Sequence, residues 1–215
     1  GYPEMATASV TRITNTPQGE ARVHLHPAPD PRGALVLGHG AGGRVEASDL
    51  VAAAAAAGAQ GFSVALVEQP YRVAGKRSSP AAKQLDPAWT RVVEDLMAGE
   101  LRGLRLVVGG RSAGARVACR TAEATGAAAV LCLAFPLQPP ARAGKEPSLS
   151  RRPELDAVTV PMLIVQGTND RFGMPEPGPN REVVQVKGDH SLRSDREAVT
   201  AAVEQTPTID EPVYV

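Results

Sequence analysis

One stretch, residues 104–114 (LRLVVGGRSAG), sets the terms for the rest of this chain. Leu104, Leu106, Val107 and Val108 form a short apolar run bounded by glycines, the pattern of a strand buried on both faces. Gly110-Arg111-Ser112-Ala113-Gly114 follows at once, and residues 115–124 are rich in helix formers. A G-x-S-x-G between a strand and a helix is the setting in which the motif makes a nucleophile elbow. The glycines have a steric reason. The sharp turn forces Ser112 into strained backbone, and a side chain at 110 or 114 would collide with neighbouring main chain. The strain lifts the hydroxyl clear of the sheet, and the helix N-terminus beneath it supplies partial positive charge for an oxyanion. The plain alternative is a glycine-rich strand–helix turn without chemistry.

Composition narrows the function classes. At 215 residues the chain suits a single α/β domain with a substantial core. Lys+Arg and Asp+Glu are equal at 23 each, so neither nucleic acid nor an anionic membrane is expected as a partner. One Trp, three Tyr and three Phe leave little material for a base-stacking platform. Cys119 and Cys132 stand in no CxxC or Cys/His metal spacing; both read as small core residues of a reduced, cytoplasmic protein. The first residues lack the basic-then-apolar pattern of a secretory leader, and the apolar run 51–57 is too short to cross a bilayer. Residues 1–7 are expected to be a flexible N-terminus or cloning remnant, 8–205 one domain, and 206–215 a tail.

In chain order, 9–13 and 22–26 alternate in polarity about the turn residues 15–19, a β-hairpin with one buried face. His24 and His26 share the face away from Val23 and Leu25; with no third ligand nearby they read as surface residues, not a metal site. Residues 34–38 are the next buried strand, running into His39-Gly40-Ala41-Gly42-Gly43, whose glycines let backbone N–H groups face a pocket. A phosphate loop is disfavoured there, because the Walker lysine and its Ser/Thr are missing. Ser48 is placed to cap a helix ending near Gly58 and Gly61, and 62–67 is another strand. Residues 68–86 form a long polar segment with Arg72, Lys76, Arg77 and Lys83, leaving the carboxyl end of a strand, where open α/β sheets hold their sites. This basic segment reads either as solvated charge or as a pocket border favouring anionic acyl groups. Asp86-Pro87 reads as the cap and first-turn proline of a helix whose core face is Trp89, Val92, Val93, Leu96 and Met97. Beyond the elbow, 129–134, 161–166 and 182–187 are strands, 135–152 a proline-rich loop, and 194–204 a helix. Pro175, Pro177 and Pro179 keep 172–180 irregular. A hairpin followed by six strands with intervening helices makes an open, mostly parallel α/β sheet.

Three polar groups then stand at strand ends in the chain order Ser112, Asp170, His190. In that arrangement His190 takes the Ser112 proton and returns it to a leaving group, while Asp170 holds the imidazole tautomer. Asp189 is the rival acid; next to His190 in sequence, it needs an awkward loop to reach the far ring nitrogen. His39 is the rival base, but it precedes the glycine loop and reads better as its brace.

With these residues in place, the chain resembles a small α/β-hydrolase of the lidless, dienelactone-hydrolase-like group. Within that group it is most similar to the family related to the hydrolase-like region of a subunit of the NSL histone acetyltransferase complex. The similarity is carried by 35–43 (LVLGHGAGG), Gln69-Pro70-Tyr71-Arg72, 109–114 (GGRSAG), 166–170 (QGTND) and 188–191 (GDHS), and Pro70-Tyr71-Arg72 points to the narrower group. The resemblance implies an eight-stranded α/β-hydrolase sheet and an oxyanion hole made by the backbone N–H groups of Ala41 and Ala113. The segment 135–160, where a cap domain would sit, is too short for one, so no large cap is expected. Dienelactone hydrolases proper carry Cys where this chain has Ser112, so their substrate does not transfer. His39, Tyr71, Arg72 and Arg111 are the candidate substrate contacts. The expectation is a serine hydrolase of small carboxylic esters or thioesters, forming an acyl-enzyme on Ser112, with no metal or organic cofactor. The alternatives are a catalytically idle binding or scaffold protein of the same fold and, within the enzyme class, an acyltransferase.

Overall fold

The apolar runs of the sequence become the strands of one sheet. The computed structural model describes residues 9–192 and 196–205. The expected N-terminal segment 1–7, the tail 206–215 and a helix start at Ser194 lie outside the described residues. The strands are β1 (Val10–Thr16), β2 (Gly19–His26), β3 (Gly33–Gly38), β4 (Phe62–Glu68), β5 (Leu106–Arg111), β6 (Ala129–Leu133), β7 (Met162–Gly167) and β8 (Arg181–Val186). The helices are α1 (Ser48–Ala59), α2 (Pro70–Val73), α3 (Ala82–Ala98), α4 (Ala113–Thr125), α5 (Arg152–Asp156) and α6 (Arg196–Gln205).

The eight strands lie in the order β1-β2-β4-β3-β5-β6-β7-β8. β1 pairs with β2 and β2 with β4 antiparallel; every other pairing is parallel. The central strands are apolar on both faces because both faces are covered. Leu35, Leu37, Val107, Leu131 and Leu163 pack with Leu50, Ala53 and Ala57 of α1 and Val199 and Val203 of α6. Val36, Val108, Val130 and Ile164 alternate to the opposite face, against Trp89, Val92 and Leu96 of α3, Ala115, Ala118 and Ala122 of α4, and Leu155 of α5. The result is the α/β-hydrolase fold. Between β6 and β7 the only regular element is the five-residue α5, which makes a rim and no large cap. Among the described residues no helix is long and apolar enough to cross a membrane.

Two helix starts differ from the expectation. Ala47, not Ser48, is the N-cap of α1, and Ser48 makes no side-chain capping bond. Asp49 serves the first turn instead, its Oδ1 accepting the Leu50 N–H at 2.9 Å. Helix α3 begins at Ala82, so Pro87 lies inside it and Asp86 caps nothing. The Asp86 carboxylate is drawn to Arg120 of α4, which meets it through Nε and Nη2, each at 2.9 Å. Pro87 is tolerated because it is only one turn in, where the single missing bond falls at the helix's solvated start. The polar segment 68–86 is accordingly not one loop: it contains α2 and the first turn of α3.

Candidate active site

Strand β5 and helix α4 meet at Ser112 with no linking residue. Ser112 has φ +50° and ψ −112°, a conformation costing about 1–3 kcal/mol for a residue with a Cβ. Packing on both sides over-determines it. Its N–H donates to Leu133 O of β6 at 2.9 Å, and its carbonyl accepts from Arg116 N at 3.2 Å. A Cβ at Gly110 would stand 2.7 Å from Gly38 O, and one at Gly114 2.7 Å from Gly38 O and 2.8 Å from His39 O. The elbow thus seats directly on the end of β3.

The hydroxyl at this turn faces a histidine from the far side of the sheet. Ser112 Oγ is 2.9 Å from His190 Nε2, and His190 Nδ1 is 2.7 Å from Asp170 Oδ2. The Asp170 side chain is fully buried. Its Oδ1 accepts the Phe172 N–H at 2.8 Å, and Oδ2 also takes the Gln166 amide at 3.1 Å. The Phe172 ring lies 4.3 Å from the His190 ring, centroid to centroid. Asp189 turns away to Ser191, whose N–H it accepts at 2.9 Å. The two loops bearing acid and histidine are joined by main chain, Asn169 N–H donating to Gly188 O at 2.9 Å.

Two buried polar groups not singled out by the sequence hold this line of three in place. Gln166, fully buried at the end of β7, accepts the Phe135 N–H and donates to Phe135 O, Gly173 O and Asp170. A polar side chain closing the apolar run Met162-Leu163-Ile164-Val165 is the signal that marks it. Asp49, buried in α1, receives Arg111 Nη1 at 2.5 Å, and the same guanidinium donates through Nη2 to His190 O at 2.8 Å. Removing Arg111 would strand a buried carboxylate, a loss of about 3–5 kcal/mol.

The four candidate substrate contacts are therefore chiefly struts. Arg111 ties the His190 loop to α1. Tyr71 Oη donates to Ala41 O at 2.6 Å, and Arg72 Nε to Gly43 O at 3.0 Å, pinning the glycine loop from above. His39 donates from Nδ1 to Gly40 O at 2.8 Å and accepts the Gln69 N–H on Nε2 at 3.0 Å, so both ring nitrogens are engaged. Ala41 and Ser112 line one cleft of about 730 Å³, together with Arg44, Arg171, Phe172 and His190. Ala113 is the first residue of α4, so its N–H has no acceptor within the helix. A carbonyl at Ser112 would have the Ala113 N–H, a paired hydroxyl and a neighbouring imidazole around it, the elements of acyl transfer.

The state of His39 has a pH consequence. Burial pushes its pKa below the usual imidazole range, only partly opposed by the bond to Gly40 O. Protonation would turn Nε2 from acceptor to donor against the Gln69 N–H. Because the folded value lies below the unfolded one, the unfolded chain binds the proton first, and acid lowers stability. The stabilisation is whole above pH about 6.5 and is lost as pH falls through the folded value. Melting temperature is expected to drop from pH 7.5 to 5.5, and His39→Asn, which keeps a donor and an acceptor without titrating, is expected to flatten that slope. His26, also depressed by burial, leaves some slope in the variant.

Residues 31–206 match the family described as an alpha/beta hydrolase domain. No curated protein sequence matches the chain. Among solved structures it is similar to XC6422 of Xanthomonas campestris, described as an α/β serine hydrolase without lid (TM-score 0.73, 18% identity, covering 97% of this chain and 98% of that one). It is also similar to Est1E of Butyrivibrio proteoclasticus (0.70, 16%, 94% and 99%) and to the thioesterase domain of the curacin biosynthetic pathway (0.67, 14%, 93% and 100%). At these identities the likeness is one of fold.

Proposed function

We propose, on the premise that this chain belongs to the alpha/beta hydrolase family, that it is a serine hydrolase of small carboxylic esters or thioesters. The observation that carries the reading is the continuous Ser112–His190–Asp170 line at 2.9 and 2.7 Å, set at a strained elbow. His190 Nε2 takes the Ser112 proton as Oγ bonds to the substrate carbonyl carbon. The oxyanion rests on the N–H groups of Ala41 and Ala113. Collapse expels the alcohol or thiol, which leaves with the proton held by His190. A water molecule, deprotonated by the same imidazole, then attacks the acyl-Ser112 ester, and the acid is released as His190 returns that proton to Ser112 Oγ. Asp170 stays ionised and fixes the tautomer in which Nε2 is the acceptor. The open rim favours small substrates and free access of water, hence hydrolysis over transfer to another acceptor.

No metal or organic cofactor enters these steps. The two buried free thiols, Cys119 and Cys132, suit a reduced cytoplasmic setting. The narrower kinship, to the family related to the NSL-complex subunit, rests on Gln69-Pro70-Tyr71-Arg72, the segment that pins the glycine loop. Treatment with a fluorophosphonate probe is expected to add one adduct to the intact mass, mapped to Ser112. Labelling that persists in Ser112→Ala, or none in the wild type, would sink the reading in favour of a catalytically idle binding protein.

A further inference from the structure

We propose that the cleft beside the glycine loop is a subsite for an anion carried by the substrate. The chain then acts on esters or thioesters that bear a carboxylate or phosphate a few bonds from the reacting carbonyl. The proposal rests on the serine-hydrolase reading above. The loop 40–43 stands between two openings. One is the cleft of Ser112 and His190. The other, of about 330 Å³, is lined by Arg22, Arg44, Arg72 and Arg77 with Glu46 and Glu68. Gly43, Arg44 and Glu46 border both, so the two openings run together over the loop. The loop touches both sides. A Cβ placed on Gly40 would be 3.7 Å from Ser112 Cβ, and one on Gly42 would be 4.0 Å from Arg77 O.

The charge around this rim is out of balance. The whole chain has a formal charge of zero, yet here four guanidiniums face two carboxylates. Glu68 is already shared between Arg22 at 3.3 Å and His24 at 3.4 Å. Arg72 gives Nε and Nη1 to the carbonyl oxygens of Gly43 and Lys76, which hold it in place but leave its charge standing. Among the described residues Arg44 and Arg77 meet no carboxylate in an ion pair. On the serine side Arg171 adds a further cation, held over the Phe172 ring at 5.7 Å, whereas the charge of Arg111 is matched by Asp49. Positive charge concentrated along a concave rim raises the local concentration of anions. A planar guanidinium also fits a carboxylate or phosphate in bidentate fashion. The tertiary structure selects these residues: of the basic segment Arg72, Lys76, Arg77 and Lys83, only Arg72 and Arg77 line this cleft, and Arg44 joins them from the loop after β3.

The test compares kcat/KM for the p-nitrophenyl monoester of glutaric acid with that for p-nitrophenyl pentanoate, matched in chain length and differing in the terminal carboxylate. At about 20 mM salt the anionic ester is expected to be favoured about tenfold, and at about 500 mM the ratio is expected to fall toward one. In the Arg44→Gln/Arg77→Gln double variant the ratio should collapse toward one already at low salt, with an unchanged melting temperature showing that the fold is intact. A low-salt ratio at or below one, or a preference untouched by the double variant, overturns the subsite. If neither ester turns over and Ser112 takes no probe, the hydrolase reading fails separately. The subsite is then read by calorimetric titration of glutarate and of inorganic phosphate into the full chain. Binding of either, weakened about tenfold in the double variant, sustains it and tells carboxylate from phosphate; binding of neither, or binding indifferent to the variant, overturns it.

Discussion

His190→Ala is expected to slow ester hydrolysis by about 10⁶-fold in kcat, with KM little changed. The size follows from the way the three residues act as a unit: without the imidazole, Ser112 has no acceptor for its proton and the leaving group no donor. Asp170→Asn is expected to cost about 10⁴-fold, because an amide at Oδ2 of that buried site can donate to Nδ1 and so favour the wrong tautomer. The bond at 2.7 Å from His190 Nδ1 to Asp170 is the only one Nδ1 makes among the described residues, which leaves no substitute acceptor. Asp189→Asn serves as the comparison. Its carboxylate is engaged with Ser191, so activity should stay near the wild type. Should Asp189→Asn be the more damaging change, the acid has been misassigned. Gln166→Met, similar in volume but without the amide, should lower kcat more than it raises KM, since it removes one of the two bonds that hold Asp170 Oδ2 without touching the substrate cleft. Steady-state kinetics on a short p-nitrophenyl ester, with melting curves to confirm folding, reads all four variants.

The second large effect is on folding. Gly109→Ala is expected to abolish soluble native protein, because its Cβ would lie 2.1 Å from Leu131 O in the middle of the sheet. Neither β5 nor β6 can move: Gly109 pairs with Leu131, and both strands are hydrogen-bonded on either side. Gly110→Ala and Gly114→Ala meet only slightly more room, 2.7 Å to main chain of β3, and should each cost well over about 3 kcal/mol, the upper part of the range for overpacking. Gly126→Ala is the instructive contrast. Gly126 ends α4 at φ +70° with open space around its Cα, so the loss there should be only the left-handed strain of about 1–2 kcal/mol. Chemical denaturation of the Gly110, Gly114 and Gly126 variants would rank them, and soluble yield reads Gly109→Ala. A Gly114→Ala protein as stable as Gly126→Ala would show that the elbow does not seat on β3 as described.

Most of the fold could be read from the sequence because its signals are local. Strands buried on both faces announce themselves as short apolar runs, and β3, β4, β5, β6 and β7 all do. The elbow motif is local too: Gly110 and Gly114 are expected to lack space against neighbouring main chain, and the structure identifies that main chain as the end of β3. Ser112 and His190 were legible as types at strand ends, since their chemistry is carried by few residues.

What failed or stayed silent depended on partners distant in sequence. Asp86 beside Pro87 looks like a cap, but a carboxylate goes where its free energy is lowest, and Arg120 lies across the helix interface. Arg111 and Tyr71 look like residues aimed at a ligand; Arg111 instead neutralises Asp49, 62 positions earlier, and Tyr71 reaches back 30 positions to the glycine loop. Gln166 stands in the QGTND segment, but its role appears only when the sheet brings Phe135 and Gly173 within reach of one amide. The sequence by itself therefore determined the class of sheet, the elbow and the chemical types at its rim. The bond from His190 to Asp170, which the sequence already favoured over Asp189, takes its geometry from the tertiary structure, as do the supports beneath it and the gathering of Arg44 with Arg77, because burial and charge pairing act through space between residues that no local pattern connects.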